Sequence, residues 1–303
     1  MKVLVTGASG FIGRNVVAQL VRDGVAVVGA GRRPGPEGAA FEAVDLLEPG
    51  APARLIDRVR PTHLVHLAWN ATPGRFWTAP DNLDWSAATL SLTRAFAGAG
   101  GVRAVFAGSC AEYDWTGEGR LREDAPTVPA TFYGRIKDAT RRAVCAFGDQ
   151  TGLSVAWGRV FWLYGPGEAR NRLVSDVASA LALRQPVETT EGLQQRDFLH
   201  VADVAGAFVA ALASDHRGPF NIGSGSPVSV RRLIEGLASE LGGRDLVAFG
   251  ARPPAPGDPP LLAADPTILT EAVGFRPRVD LEVGLRETAA WWREASRATG
   301  QTT

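Results

Sequence analysis

The chain is poor in the residues that would decide its class cheaply: 303 residues contain two cysteines, four histidines, one methionine and three tyrosines. Cys110 and Cys145 make no disulfide framework, and with neither a C-x-x-C spacing nor a histidine cluster there is no pattern for a zinc site. Net charge is absent too, with 32 basic against 32 acidic residues. That balance, without a long Lys/Arg run, excludes the electrostatic footprint of a nucleic-acid binder or a membrane-surface patch. The longest weakly polar stretch, Val204 to Ala213, falls short of the ~18 residues that span a bilayer. Val3, Leu4 and Val5 before a Thr-Gly turn are too few for a secretory signal. A soluble cytoplasmic protein with small-molecule partners is expected. Lysine is nearly missing as well: Lys2 and Lys137 are the only two, in a background that replaces lysine by arginine wherever chemistry allows.

What is present is a folding composition, 45% hydrophobic and 21% charged, and at this length a chain buries about three quarters of its extended surface without staples. Short β-branched runs at Lys2 to Thr6, Val25 to Val28, His63 to Ala68, Ala104 to Ala107 and Ser154 to Phe161 alternate with helical periodicity. This is the pattern of an α/β parallel sheet covered on both faces. Between the first two runs Ile12, Val16 and Leu20 recur at helical spacing, and Gly24 stops the helix. After Gly165-Pro166-Gly167 the pattern changes, and Arg252 to Pro260 reads as an extended loop. The division expected is a dinucleotide-binding part at 1–165, with a later contribution around 195–215, and a mainly substrate-binding lobe at 166–303.

Gly7, Gly10 and Gly13 form T-G-x-x-G-x-x-G where the first strand meets the first helix. Glycines there let the backbone turn tightly and approach a pyrophosphate, whose charge the helix N-terminus stabilises. About 20 residues on, where a carboxylate would accept the ribose hydroxyls of NAD, stand Arg32 and Arg33. Guanidinium groups suit a 2′-phosphate, which favours NADP over NAD, with a solvated loop as the bland alternative. Asp45 is placed to accept a bond from the adenine amino group or to form a surface turn.

Tyr133 and Lys137 lie one helical turn apart, in a segment whose buried face is marked by Ile136, Thr140, Ala143, Val144 and Phe147. A neighbouring ammonium lowers a phenol's pKa, so this pair is expected to exchange a proton near neutral pH, as carbonyl reduction requires. Ser109 ends a predicted strand at the carboxyl edge of the sheet. There it either steadies a substrate oxygen or serves as a turn residue.

With these residues the chain resembles the extended short-chain dehydrogenase/reductase family, in its branch acting on nucleotide-diphosphate sugars. The same pattern includes His66-Leu67-Ala68, Ser109 four residues before Tyr113, Arg159 to Pro166 ending in Tyr-Gly-Pro, Arg196-Asp197-Phe198 through Asp203, and Phe220-Asn221-Ile222-Gly223. The resemblance implies a Rossmann-type doubly wound parallel sheet with a smaller mixed α/β C-terminal lobe, and a homodimer formed through the Tyr133 helix and a neighbour. It implies a catalytic Ser109, Tyr133 and Lys137, with Lys137 also holding the nicotinamide ribose. Cofactor contacts would come from Gly7, Ser9, Gly10, Phe11, Ile12, Gly13, Arg32, Arg33, Asp45, Leu46, Leu67 and Ala68. Arg196 and Arg252 would grip the substrate's diphosphate or nucleoside, and Trp69, Cys110, Ala111 and Trp162 would line the sugar site.

Within that family, dehydratases carry Asp-Glu directly after the Ser/Thr. Here Cys110 and Ala111 stand there, which disfavours water elimination. Ala111 also replaces the cysteine of the 3,5-epimerase/reductases. An NADPH-dependent reductase of the 4-keto group of an NDP-4-keto-6-deoxysugar is therefore expected, with an NAD-dependent 4-epimerase and a non-catalytic NADP-binding sensor as alternatives. Trp162 in place of the usual Asn and Asp114 in place of a Gly alter the family pattern near the sugar. Trp69, Phe76, Trp77, Trp115 and Trp162 are candidates to line the pocket or to pack as core or lid.

Overall fold

Strands too apolar to alternate between core and water must be covered on both faces, and the first half of the chain provides the helices to do it. The computed structural model describes residues 1–116 and 119–300. It runs β1 (Lys2–Thr6), α1 (Phe11–Arg22), β2 (Ala26–Gly31), β3 (Ala40–Ala43), α2 (Ala51–Val59), β4 (His63–His66), α3 (Asn82–Gly98), β5 (Arg103–Ser109), the short β6 (Arg120–Leu121), α4 (Phe132–Thr151) and β7 (Ser154–Val160). The remainder is β8 (Trp162–Tyr164), α5 (Leu173–Ala182), β9 (Val187–Glu188), β10 (Gln195–Arg196), β11 (Phe198–His200), α6 (Val201–Ala213), β12 (Gly218–Ile222), β13 (Val228–Ser229), α7 (Val230–Leu241), β14 (Val247–Ala248), β15 (Leu261–Ala264), α8 (Thr267–Glu271) and α9 (Leu281–Gly300).

Seven parallel strands form the main sheet in the order β12-β7-β5-β4-β1-β2-β3. Along β1, Val3 and Val5 pack with Val16, Leu20, Val204 and Phe208 of α1 and α6. Leu4 points the other way, into a core shared with Leu55, Leu92, Phe96 and Val144 of α2, α3 and α4. The strand order reverses between β1 and β4, so their carboxyl ends splay apart and open a crevice.

The doubly wound sheet is as expected, with two additions. β3 is a half-exposed edge strand, Ala-Phe-Glu-Ala, with no apolar alternation to reveal it. β12 returns to the far edge, where Pro219 is tolerated because an edge strand has one free side. The helix carrying Tyr133 is also rotated from its expected register. Its buried stripe is Tyr133, Lys137, Thr140, Val144 and Gly148, whereas Ala143 is exposed.

The smaller lobe packs α5, α7 and α9 around Leu233, Ile234, Leu237, Leu285 and Trp292, beside a four-stranded sheet ordered β13-β10-β15-β6. β6 comes from the first half of the chain, so the two parts share this sheet. No helix among the described residues is long and apolar enough to cross a membrane.

Candidate active site

At the end of β1, Gly7 takes φ +70°, and its N–H donates to Ala30 O at 2.9 Å. A Cβ on Gly7 would lie 2.9 Å from Ala68 N, and one on Gly13 would lie 2.1 Å from Gly7 O. Side chains are therefore excluded from both positions. Gly10 is the N-cap of α1 and provides no side-chain cap, which leaves the first-turn N–H groups available to a ligand. Ser9 and Gly10 are exposed, and Phe11 and Ile12 half-buried, at this rim. The uncapped helix end and the two cradles that a methyl group would fill suit a pyrophosphate. On the other side of the loop, Leu67 N donates to Thr6 O at 3.2 Å, and Ala68 N lies 3.4 Å from Thr6 Oγ1. Arg32 and Arg33 are exposed directly beyond β2. Asp45 holds a turn, accepting from Leu47 N at 3.0 Å, and Leu46 is buried beside it.

At the chemical end, β5 delivers Ser109 to the carboxyl edge of the sheet. The Ser109 Oγ accepts from Ala111 N at 3.1 Å, capping a 3₁₀ turn over Cys110–Glu112. Thr131 caps α4 by accepting from Gly134 N at 3.1 Å. A Cβ on Gly134 would stand 2.2 Å from Ala111 O, so a glycine here lets the first turn of α4 lie directly on the Ser109 turn. That approach sets Tyr133 against the Ser109 turn, whose side chain acts on the phenol. Lys137 Nζ donates to Ala107 O at 3.0 Å and sits 3.6 Å from the centroid of the Trp69 ring.

The electrostatics differ from the simple pairing of phenol and ammonium. Burial pushes the Tyr133 phenol well above its usual range, opposed by the nearby Ser109 side chain and by the charge of Arg172. Burial pushes Lys137 down to about 7, opposed by Glu112. Desolvation dominates both groups and outweighs the acidification expected from the lysine. His66, which bonds Thr6 Oγ1 at 2.7 Å and Thr89 Oγ1 at 2.9 Å, is pushed down to about 3 and stays neutral.

The five aromatic candidates form one wall. Trp69, Phe76 and Trp77 surround the Tyr133 ring at centroid distances of 6.4, 4.9 and 5.8 Å. Trp77 leads to Trp115 at 6.4 Å and Trp115 to Trp162 at 6.1 Å. Arg196 lies 5.3 Å above Trp162, buried and paired with Asp258. Ala111 and Cys110 are buried behind Ser109, and burial raises the Cys110 thiol to about 12, so it stays protonated. Arg252 stands apart from this group. Its exposed side chain faces Glu188 at 3.9 Å.

Two residues at the site escape the sequence reading. Arg172, from an Arg-Asn-Arg run that an arginine-rich chain makes unremarkable to the eye, lies 5.1 Å over Phe76 and donates to Ala71 O at 2.9 Å. Glu112 has no exposed surface; its signal was an acidic residue between Ser109 and Tyr113.

Fold and site together define a dinucleotide-binding oxidoreductase architecture. Residues 3–223 match the model of the NAD dependent epimerase/dehydratase family, and the chain belongs to that family, in the extended short-chain dehydrogenase/reductase branch. It is 32% identical to a UDP-glucose 4-epimerase of Azospirillum brasilense, over 99% of this chain and 94% of that one. It is 30% identical to dTDP-6-deoxy-L-talose 4-dehydrogenase (NAD(P)(+)) of Kitasatospora kifunensis, over 94% of each chain. Among solved structures, MoeE5 in complex with UDP-glucuronic acid and NAD superposes with a TM-score of 0.84 at 33% identity, covering 97% of this chain and 100% of that one. The UDP-glucose 4-epimerase relative favours the 4-epimerase alternative over the 4-ketoreductase expected from sequence.

Proposed function

We propose that this chain is an NAD-dependent 4-epimerase of a uridine diphosphate hexose or hexuronic acid. The observation that carries the reading is the assembly of Ser109, Tyr133 and Lys137 at the carboxyl edge of the sheet, beside an uncapped helix N-terminus. The choice among the family's reactions rests on the 32% identity to a UDP-glucose 4-epimerase.

In this reading Gly7, Ser9, Gly10, Phe11, Ile12 and Gly13 hold the pyrophosphate, Leu67 and Ala68 line the far side, and Lys137 holds the nicotinamide ribose. Bound NAD would supply the group that takes up the C4 hydride and gives it back. Tyr133 Oη takes the proton of the sugar's C4 hydroxyl as C4 is oxidised, and returns it when the ketone is reduced from its other face. Ser109 Oγ donates a hydrogen bond to the same oxygen. The wall from Trp69 to Trp162 excludes water and gives the sugar an apolar surface on which to turn, while Arg196 faces the diphosphate. The protein acts in the cytoplasm as a homodimer through α3 and α4, where Leu83 and Leu90 of α3 are exposed.

A second reading, the NADPH-dependent 4-ketoreductase, is favoured by Arg32 and Arg33 standing exposed where β2 ends and by the 30% identity to a 4-dehydrogenase. Incubating the protein with UDP-glucose, UDP-galactose and UDP-glucuronate, and in parallel with NADPH plus dTDP-4-keto-6-deoxyhexose, decides between them by NMR of the sugar and absorbance of the cofactor. Epimer without net cofactor oxidation is the expected result. Stoichiometric NADPH oxidation with no epimer on any UDP-sugar overturns it.

A further inference from the structure

Glu112 sits on the turn between Ser109 and Tyr113 with no exposed surface. Its Oε1 accepts from Ser109 N at 2.9 Å and from Trp157 Nε1 at 2.8 Å. Its Oε2 accepts from Arg159 Nε at 2.9 Å, and Arg141 Nε lies 3.6 Å away. A Cβ on Gly108 would meet Trp157 Nε1 at 2.1 Å and Glu112 Oε1 at 2.6 Å, so the strand before Ser109 is thinned to admit this carboxylate. The same strand end carries Ala107 O, to which Lys137 is tied. One buried carboxylate thus braces the backbone of Ser109 from behind, while α4 lays Tyr133 and Lys137 against its front.

The charges around it are uneven. Arg159 of β7 is committed to Glu112 and to Glu123 O, and Arg141 of α4 divides itself between Glu112 and Asp138, which also holds Arg142. Lys137 faces neutral His66 of β4, Tyr133 of its own helix and the Trp69 ring. Among the described residues, its desolvation is opposed by Glu112 alone.

We infer that Glu112 is a positioning residue for the reaction: its carboxylate locks the Ser109 turn against β7 and puts a buried negative charge behind the strand end to which Lys137 is bonded. The inference rests on the catalytic reading of Ser109, Tyr133 and Lys137 given above. Loss of the charge makes protonated Lys137 less favourable and weakens the pairing with Arg159, whereas loss of reach alone moves the turn and keeps the charge.

The scarcity of lysine makes this measurable without turnover, since protein labelled with [13C]ε-lysine gives two resonances, Lys2 and Lys137, assigned through Lys2→Arg. In Glu112→Gln the titration midpoint of Lys137 is expected to fall by about one pH unit or more while Lys2 stays put. The kcat on the UDP-sugar should fall about tenfold at little-changed KM, with the alkaline limb of the pH profile moved down. An unmoved Lys137 midpoint in folded Glu112→Gln overturns the inference. If that variant yields no folded protein, Glu112→Asp decides: a kcat reduced about threefold or more at the parental Lys137 midpoint supports it, and parental kcat overturns it. A parent inactive on every sugar tested defeats the catalytic reading instead, while the Lys137 titration still reports on Glu112.

Discussion

At the glycine loop the closest approaches are between main-chain atoms, Gly13 against Gly7 O and Gly7 against Ala68 N. Around Tyr133 one such approach, Gly134 against Ala111 O, is joined by side chains drawn from β4, the loop after it, β5, α4, β7 and the segment before α5. The first end makes its site by leaving side chains out, the second by packing them in. Omission leaves a local mark in the sequence, a glycine spacing of three. Convergence leaves marks scattered over a hundred residues. The two ends should therefore fail differently when altered.

The largest effect is expected at the chemical end. Tyr133→Phe removes the proton carrier but keeps the ring that Phe76, Trp77 and Trp69 enclose, so turnover should fall about 10²–10⁴-fold, with the fold and dinucleotide affinity nearly intact by calorimetry. Parental turnover in this variant would end the contrast between the two regions. Gly13→Ala should do the opposite. A methyl group 2.1 Å from Gly7 O must displace backbone, costing about 1–3 kcal/mol of stability and lowering dinucleotide affinity even in the protein that remains folded; thermal unfolding with and without NAD measures both.

The pH dependence sharpens the comparison. Lys137 is held at about 7 in the folded chain against an ordinary value of 10.5, so the unfolded chain binds the proton more tightly through that window. Its contribution to stability therefore rises from pH 7 to about pH 10.5 and is lost as the pH falls through 7. The difference in unfolding free energy between the parent and Lys137→Met should track that rise, and a pH-independent difference would show that Lys137 is not desolvated.

Arg32→Ala is expected to weaken NADPH by about tenfold, one charge-assisted bond, and NADH much less. Equal losses would rule out a bond from Arg32 to the 2′-phosphate, and no loss for either would leave it to the solvent. The smallest effect belongs to Arg252→Ala, within about 0.5 kcal/mol by denaturant titration, because its ion pair with Glu188 is exposed. A larger loss would bring that arginine into the site from which the structure separates it.

Much of the nucleotide end was legible because its determinants are neighbours in sequence: Gly7 and Gly10 lead into the helix, Gly13 lies in its first turn, and Ile12, Val16 and Leu20 describe that helix. Ser109, Tyr133 and Lys137 were also legible, the last two through their rarity and four-residue spacing. The aromatic wall was legible as a set of candidates, but its continuity from Trp69 to Trp162 was not. The expected acidifying role of Lys137 failed because a spacing of four states which groups are close and nothing about how much water each has lost. Glu112 and Arg172 were missed for the same reason. An acidic residue in a turn and an arginine in a run read as surface until burial is known.

By itself the sequence determined the parallel sheet, the glycine loop and the pairing of Tyr133 with Lys137 on one helix face, since each depends on contacts within a helical turn or between a strand and its own next helix. The tertiary structure alone decided the protonation landscape of the site, the union of five distant aromatic rings and the buried carboxylate behind Ser109. Those properties depend on how much solvent is excluded and on which remote charges share the resulting low-dielectric space, and both exist only once the chain has closed upon itself.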